Sequence, residues 1–294
     1  MEGKALPQEQ PLQGRTVLVG VSGGIAAYKA VEVVRRLARW GADVHVIMTR
    51  AATRLVGPAT FRELSYNPVV TDLFAPHPQV VMTHVTLARR AELFCVCPAT
   101  ADVIAKMAAG IADDALTTTY LAFRGPVVVV PAMNSAMYEH PATQENLGRL
   151  RARGHVIVGP VRGVLATGHE GPGRMEEPHR ILEEIRCLLH PVKDLQGRRI
   201  LVTAGPTREP LDPVRFLSNR SSGKMGYALA RMARFRGASV VLVSGPTRLE
   251  PPAGVEVVAV ETAEQMQAAC QERLAEVDAV IMAAAVADFR AASP

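Results

Sequence analysis

Twice along the chain an apolar run closes at a turn, passes into helical periodicity and returns, after a Gly-Ala pair, as a second apolar run. The first copy occupies 16–21, a helical pattern over 25–40, Gly41-Ala42 and the run 44–48. The second occupies 199–203, a helical pattern over 227–236, Gly237-Ala238 and the run 239–243. Strand, crossover helix and strand in that order impose parallel pairing with a right-handed connection. Each half therefore opens an α/β domain of its own. A chain of 294 residues that is 48% hydrophobic has enough apolar surface for two ordinary cores.

The first half adds apolar runs at 93–97 and 127–130, joined by a helical stretch over 102–109. Runs apolar at nearly every position belong to strands covered on both faces, as in a doubly wound parallel sheet. The segment 160–178 is rich in Gly, Pro and charge and has no periodicity, so it reads as a long loop, a class usually functional or disordered. A helix over 181–189 closes the first domain and 190–197 is the expected linker. The expected domains are 1–190 and 197–294.

A net charge of +5 comes from 33 basic residues spread along the chain, with no basic run beside aromatics to grip a nucleic-acid backbone. A mildly basic surface suits a phosphorylated small molecule. Cys95, Cys97, Cys187 and Cys270 are too few and too scattered for a disulfide framework, and Cys95-Val96-Cys97 lacks nearby His partners for a metal. Buried thiols in a reducing compartment follow. The first residues carry no signal-peptide core and no stretch approaches the ~18 apolar residues of a membrane span, so a cytoplasmic protein is expected.

The turn Gly20-Val21-Ser22-Gly23-Gly24-Ile25 follows a buried strand and enters a helix, where free N–H groups and the helix dipole favour a phosphate. It lacks the spacing of a dinucleotide fingerprint, and such a turn also occurs as plain turn chemistry. Thr49 ends the next strand and Pro98-Ala99-Thr100 the third; three polar edges meeting at one crevice suit a mononucleotide. A fourth edge carries Pro131-Ala132-Met133-Asn134. The Asn134 amide can bind a carboxylate or carbonyl, or else cap the following helix. His84 is either a proton carrier or a structural histidine.

The strings SGGIAAYK, THVTLARRAELFCVCPATADVIAKMAAGIADD, PAMNSAMYEHPATQENL and GPGRM resemble the homo-oligomeric flavin-containing cysteine decarboxylases. Within that family they resemble the branch that joins a phosphopantothenoylcysteine decarboxylase to a phosphopantothenate-cysteine ligase. The resemblance runs from about Gly14 to Phe289. It implies that His84 is the active-site histidine, that Asn134 holds the substrate carboxylate, and that Ser22, Gly23, Thr49, Thr100 and Met133 cradle FMN. It also implies trimeric decarboxylase units with FMN at the subunit interface. The implied chemistry fits: an amino acid carboxylate needs an electron sink before CO2 can leave, and no Lys in these motifs is placed to hold pyridoxal phosphate. In the family FMN oxidises the cysteine CH2-SH, CO2 is lost, and the reduced flavin returns the electrons to the enethiol.

In the second half, Ser218-Asn219-Arg220-Ser221-Ser222-Gly223-Lys224 opens a helix with small hydroxyls, Gly and Lys, which suits a triphosphate or serves as a Ser-rich cap. The string VTAGPTREPLDPVRFLSNRSSGKMGYALA resembles the start of the ligase, a partial Rossmann-like α/β domain. By that resemblance Asn219 assists the acyl-cytidylate step, Met282, Ala283, Ala284 and Asp288 line the CTP pocket, and Mg2+ accompanies CTP at ligands the sequence leaves unknown. Two departures stand out. The family's lysine-bearing segment after AAAVADF is not present before Pro294, so ligase activity is not expected of this chain. In the long loop, Thr167 stands where the best-known members carry the Cys that donates the final proton. Either Glu170 is a substitute acid acting through a water, or the loop aligns with a shift that makes Thr167 a mere spacer. The expected substrates are phosphorylated pantothenate derivatives and cysteine. Competing readings are a peptidyl-cysteine decarboxylase and a flavin-binding regulatory subunit without catalysis; the ligase half argues against the first, and His84 with Asn134 against the second.

Overall fold

The first apolar run forms β1 (Thr16–Val21), in which Val17, Leu18, Val19 and Val21 are all withdrawn from solvent. A computed structural model describes residues 10–74, 83–165 and 168–292, and the chain divides into two compact units, Met1–Leu189 and His190–Pro294. In the first unit β1 is joined by β2 (Asp43–Met48), β3 (Leu93–Ala99), β4 (Val127–Pro131) and β5 (Val156–Ile157). All pairings are parallel, in the order β2-β1-β3-β4-β5.

Side chains that alternate along these strands feed two separate cores, as the strand period of two requires. Val17, Val19, Cys95 and Cys97 pack with α1 (Ala27–Arg39), α2 (Pro58–Ser65) and α8 (Pro178–Leu189) on one face. Leu18, Phe94 and Val96 pack on the other with α3 (Thr83–Arg90), α4 (Ala101–Ala109), α5 (Ala115–Ala122) and α7 (Pro141–Ala152). Helices on both faces make this the doubly wound parallel sheet that the sequence implies. Its order reverses between β1 and β3, so the crevice beyond their carboxyl ends is the switch point where ligands of such sheets bind.

The segment expected to be a long loop folds differently. It contains an antiparallel hairpin of β6 (Val161–Val164) and β7 (Glu170–Arg174). The hairpin buries little side chain, so it has no apolar periodicity to reveal it. It docks through backbone instead. Met133 N donates to Gly173 O at 2.9 Å, and Gly173 adopts φ 136, where an added Cβ would fall 2.2 Å from Met133 O. The short α6 (Ser135–Glu139) follows directly.

The second unit has the parallel sheet β12-β11-β8-β13, made of β8 (Arg199–Ala204), β11 (Ser239–Ser244), β12 (Glu256–Ala259) and β13 (Ala279–Met282). Helix α9 (Lys224–Phe235) packs so closely on β8 that a Cβ on Gly226 would lie 2.4 Å from Ala204 Cβ. Helix α10 (Ala263–Gln271) covers the other face through Met266 and Ala269, and β9 (Arg208–Pro210) pairs with β10 (Phe216–Ser218) as an antiparallel ribbon. Among the described residues no helix is long and apolar enough to cross a membrane.

Candidate active site

At the switch point of the first unit a cavity of about 510 Å3 opens among the ends of β1, β3 and β4 and the hairpin. Gly23, Gly24, Lys29, Thr100, Met133 and Asn134 line it, with Gly173 and Arg174 from β7. Ser22 and Thr49 do not. The Ser22 hydroxyl is fully buried, donates to Pro98 O at 2.7 Å and accepts from Thr100 N at 3.0 Å, which ties the end of β1 to the end of β3 across the switch point. Thr49 accepts from Ala52 N at 3.2 Å and shapes the turn after β2. Both hydroxyls are committed to backbone and hold the turns beside the cavity in place.

The turn itself keeps donors in reserve. Gly24 N and Ala27 N bond within the turn, whereas Gly23, Ile25 and Ala26 have no backbone or side-chain acceptor among the described residues. No side chain caps α1 either. These N–H groups at the positive end of a 13-residue helix favour an anion. Gly23 has no room for a side chain: its Cβ would stand 2.3 Å from Ala51 Cβ. Thr100 caps α4 by accepting from Val103 N.

Asn134 realises its capping role and keeps a second one open. Its Oδ1 accepts from Ala136 N at 2.9 Å, capping α6, while Nδ2 has no partner among the described residues and the side chain is exposed beside the cavity. An amide fixed at one end offers its N–H2 in a set direction to a carboxylate or carbonyl.

Lys29 was not singled out from the sequence. Its side chain is only 9% exposed, and Nζ donates to Glu177 Oε1 at 2.9 Å and Met175 O at 3.3 Å. Glu177 also accepts from Arg174 Nη2 at 2.8 Å. The hydrogen bond from Lys29, with the nearby Arg174 charge, holds the Glu177 carboxyl below its usual range despite partial burial. The signal was present: Lys29 lies one helical turn before Val33 and two before Leu37, on the buried stripe of α1. A lysine there needs a partner.

His84 is half-buried in the first turn of α3 and does not line this cavity. Thr167 lies outside the described residues. Glu170 is exposed on β7, 3.6 Å from Arg162 Nε. Burial, then the neighbouring Cys95, pushes the Cys97 thiol well above its usual range, so no thiolate nucleophile arises there. No group of three His, Cys, Asp or Glu placed to hold a metal occurs among the described residues.

In the second unit Met282, Ala283, Ala284 and Asp288 fall on one segment, which is held by Thr203 near the end of β8, by Thr207 in the turn after it and by the expected Asn219. Thr203 Oγ1 accepts from Ala283 N at 3.1 Å and Ala284 N at 3.2 Å, and Thr207 Oγ1 accepts from Ala287 N at 2.9 Å. Asn219 Nδ2 donates to Ala285 O at 3.1 Å and Val286 O at 2.9 Å. Met282 and Asp288 line a groove of about 700 Å3 beside α10, to which Ala283, Ala284 and Asn219 do not contribute.

Comparison with known proteins adds an independent line. The family model described as Flavoprotein matches residues 5–190, and that described as DNA/pantothenate metabolism flavoprotein C-terminal domain matches residues 195–294. The chain is 49% identical over 281 residues to the coenzyme A biosynthesis bifunctional protein CoaBC of Vibrio parahaemolyticus serotype O3:K6, covering 96% of this chain and 70% of that protein. Among solved structures it is similar to a PPC decarboxylase mutant complexed with pantothenoylaminoethenethiol. There the identity is 26% and the TM-score 0.53, over 58% of this chain and 96% of that one. It is also similar to the FMN binding protein AtHal3, at 26% identity and TM-score 0.53, over 60% of this chain and 97% of that one.

Proposed function

The chain belongs to the coenzyme A biosynthesis bifunctional protein family, a flavoprotein unit followed by a pantothenate-metabolism domain, and from that premise we propose that its first unit decarboxylates 4'-phosphopantothenoylcysteine to 4'-phosphopantetheine with FMN. The observation that carries the reading is the convergence, on one switch-point cavity, of N–H groups and an amide donor end that have no partner among the described residues, together with two cations. The residues present fit the cofactor: the α1 turn suits its phosphate, and Gly23 and Gly173 let that turn and the hairpin pack closely on Ala51 and Met133 to form the cavity.

FMN, when bound, supplies the two-electron acceptor and donor that lets CO2 leave and the enethiol be reduced. The chain supplies the rest. Asn134 Nδ2 orients the substrate carboxylate, Lys29 and Arg174 supply positive charge at the wall, and Ser22 and Thr49 hold the turns to which the phosphate is bound. His84 carries a proton from a second copy of the chain, because its own subunit keeps it out of the cavity lining. Homo-oligomeric assembly is therefore part of the reading. Thr167 occupies the position of the final proton donor, and slow reduction of the enethiol that Thr167→Cys relieves would support that assignment.

The second unit is the first part of a ligase domain. In that reading Asn219 acts at the acyl-cytidylate, Met282, Ala283, Ala284 and Asp288 belong to the CTP pocket, and Mg2+ accompanies the nucleotide. The test of the whole is a visible spectrum of the purified chain and mass spectrometry of the products formed from 4'-phosphopantothenoylcysteine. The expected result is a yellow protein and a product lighter by CO2. A colourless active protein, or a flavoprotein that leaves this substrate intact but acts on a peptide ending in cysteine, would overturn it.

A further inference from the structure

One carboxylate serves both cations of the cavity. Glu177 Oε1 accepts from Lys29 Nζ at 2.9 Å and from Arg174 Nη2 at 2.8 Å, although Lys29 is on α1 and Arg174 ends β7. Lys29 and Arg174 line the cavity and Glu177 does not. The Arg174 pair alone is an ordinary neighbour pair, half-exposed and three residues apart, of the kind that contributes little. The Lys29 pair differs. It joins residues 148 apart in sequence, and its ammonium is almost wholly withdrawn from water, where a charge persists only when paired.

Donor counting gives the direction of the effect. An ammonium has three N–H donors; Lys29 places two of them, on Glu177 Oε1 and Met175 O. The third belongs to a group that lines the cavity. Arg174 likewise keeps donors beyond the one bonded to Glu177. Without Glu177, the buried Lys29 ammonium would keep only Met175 O and lose its counter-charge, and the guanidinium of Arg174 would be released to solvent, so neither charge would hold its place.

We propose that Glu177 is a positioning residue of the cavity. Its single shared oxygen fixes the Lys29 ammonium and the Arg174 guanidinium at the wall, aimed at an anionic group of the flavin or of the substrate. The inference rests on the reading of this unit as an FMN-dependent decarboxylase and deepens it.

The test uses the full chain, stripped of flavin and titrated with FMN, and then assayed for CO2 release. Wild type, Glu177→Gln, Glu177→Asp, Lys29→Gln and the Glu177→Gln, Lys29→Gln double variant are compared for FMN Kd, KM, kcat, flavin absorption maxima and melting. Glu177→Gln is expected to weaken FMN binding or kcat/KM on the order of tenfold, as for loss of a charge-assisted bond. It is expected to shift the flavin bands and to lower the melting temperature, because the buried Lys29 ammonium loses its counter-charge, so binding and turnover are compared at a temperature where every variant is folded. A rise in Kd assigns the anion to the flavin; a rise in KM or fall in kcat at unchanged Kd assigns it to the substrate. In the Lys29→Gln background the same substitution should add clearly less than in the wild-type background, since only the Arg174 contact remains to be lost, and Glu177→Asp should restore part of the loss. Should Glu177→Gln not accumulate folded, Glu177→Asp carries the comparison. All parameters within about twofold of wild type, or losses that multiply in the double variant, overturn the proposal. A wild type that binds no FMN would instead refute the function on which it rests.

Discussion

Both units open with a parallel strand and a crossover helix, joined by a short turn in the first and through the β9-β10 ribbon in the second, yet they spend the polar groups of these connections differently. In the first, Ser22 and Thr49 are consumed in joining backbone edges, and the turn still leaves N–H groups, the Asn134 Nδ2 and two cations facing one cavity. In the second, Thr203, Thr207 and Asn219 are all consumed in gripping the segment after β13. The first unit thus keeps donors at its cavity beyond those its own fold uses, and the second presents a clamped strand end. The same opening motif therefore does not predict the same readiness to bind, because what decides is which donors remain after the fold has taken its share.

The comparison breaks first at Asn134. Asn134→Asp keeps the helix-capping oxygen but replaces the free donor with a negative charge beside the substrate carboxylate. A loss of CO2 release of roughly 10²–10³-fold is expected, comparable to removing a preorganised donor from an active site, with FMN still bound. His84→Asn should be equally inactive. If His84 acts in a neighbour's cavity, mixing the two inactive variants as co-refolded subunits should recover part of the turnover. No recovery, in mixed oligomers shown by mass spectrometry, would place His84 in its own subunit's cavity.

Next in size is Gly173→Ala. The backbone there is in the region that favours glycine, and the new Cβ would meet Met133 O at 2.2 Å. A strain of about 1–3 kcal/mol is expected, relieved by lifting the hairpin from the turn that carries Met133 and Asn134. FMN titration should show weakened binding while the Trp40 fluorescence melt, which reports the first unit through the chain's one tryptophan, moves only slightly. Unchanged FMN affinity would mean that the hairpin is not part of the binding wall.

What the sequence disclosed follows from how each element is stabilised. Strands such as Leu93–Ala99 are buried on both faces, so they announce themselves as unbroken apolar runs. The strand-end positions of Thr100, Met133 and Asn134 were legible because the parallel order sends every carboxyl edge to one side. The hairpin was not legible, because backbone contacts at Gly173 leave no side-chain pattern. The partners of Ser22 and Asn219 lie more than sixty residues away, so no local rule shows that their groups are already taken. Lys29 was visible as a charge on an apolar stripe, but the Glu177 that explains it is set by tertiary contact.

Asn219→Ala sharpens the other side of the comparison. It removes two hydrogen bonds to Ala285 O and Val286 O, a loss of about 1–2 kcal/mol of local stability. Amide exchange over 283–289 should quicken, and CO2 release should not change. A drop in decarboxylation would show that the second unit's clamp supports the first unit's chemistry.

The smallest effect expected is a pH dependence confined to the first unit. Burial, with the Arg153 charge, lowers the His155 pKa below its usual 6.5, and Nε2 lies 2.7 Å from the Tyr120 hydroxyl. The neutral ring accepts from Tyr120, and the protonated ring cannot. A lowered folded pKa means that the unfolded chain binds the proton more readily just below pH 6.5. The contribution of this pair is therefore complete above that value and is lost as pH falls through the folded pKa. The ring is only partly buried, so screening keeps the effect below about 1 kcal/mol. Urea unfolding followed by Trp40 fluorescence at pH 7.5 and 5.5 should show the gap between wild type and His155→Gln narrowing at the lower pH. Glu177 does not confound the measurement: its carboxyl already titrates below its ordinary value of 4.5, beneath this window. A gap that widens on acidification would mean that His155 is held charged and that Tyr120 is not its donor, and a constant gap would mean that the fold does not shift its pKa.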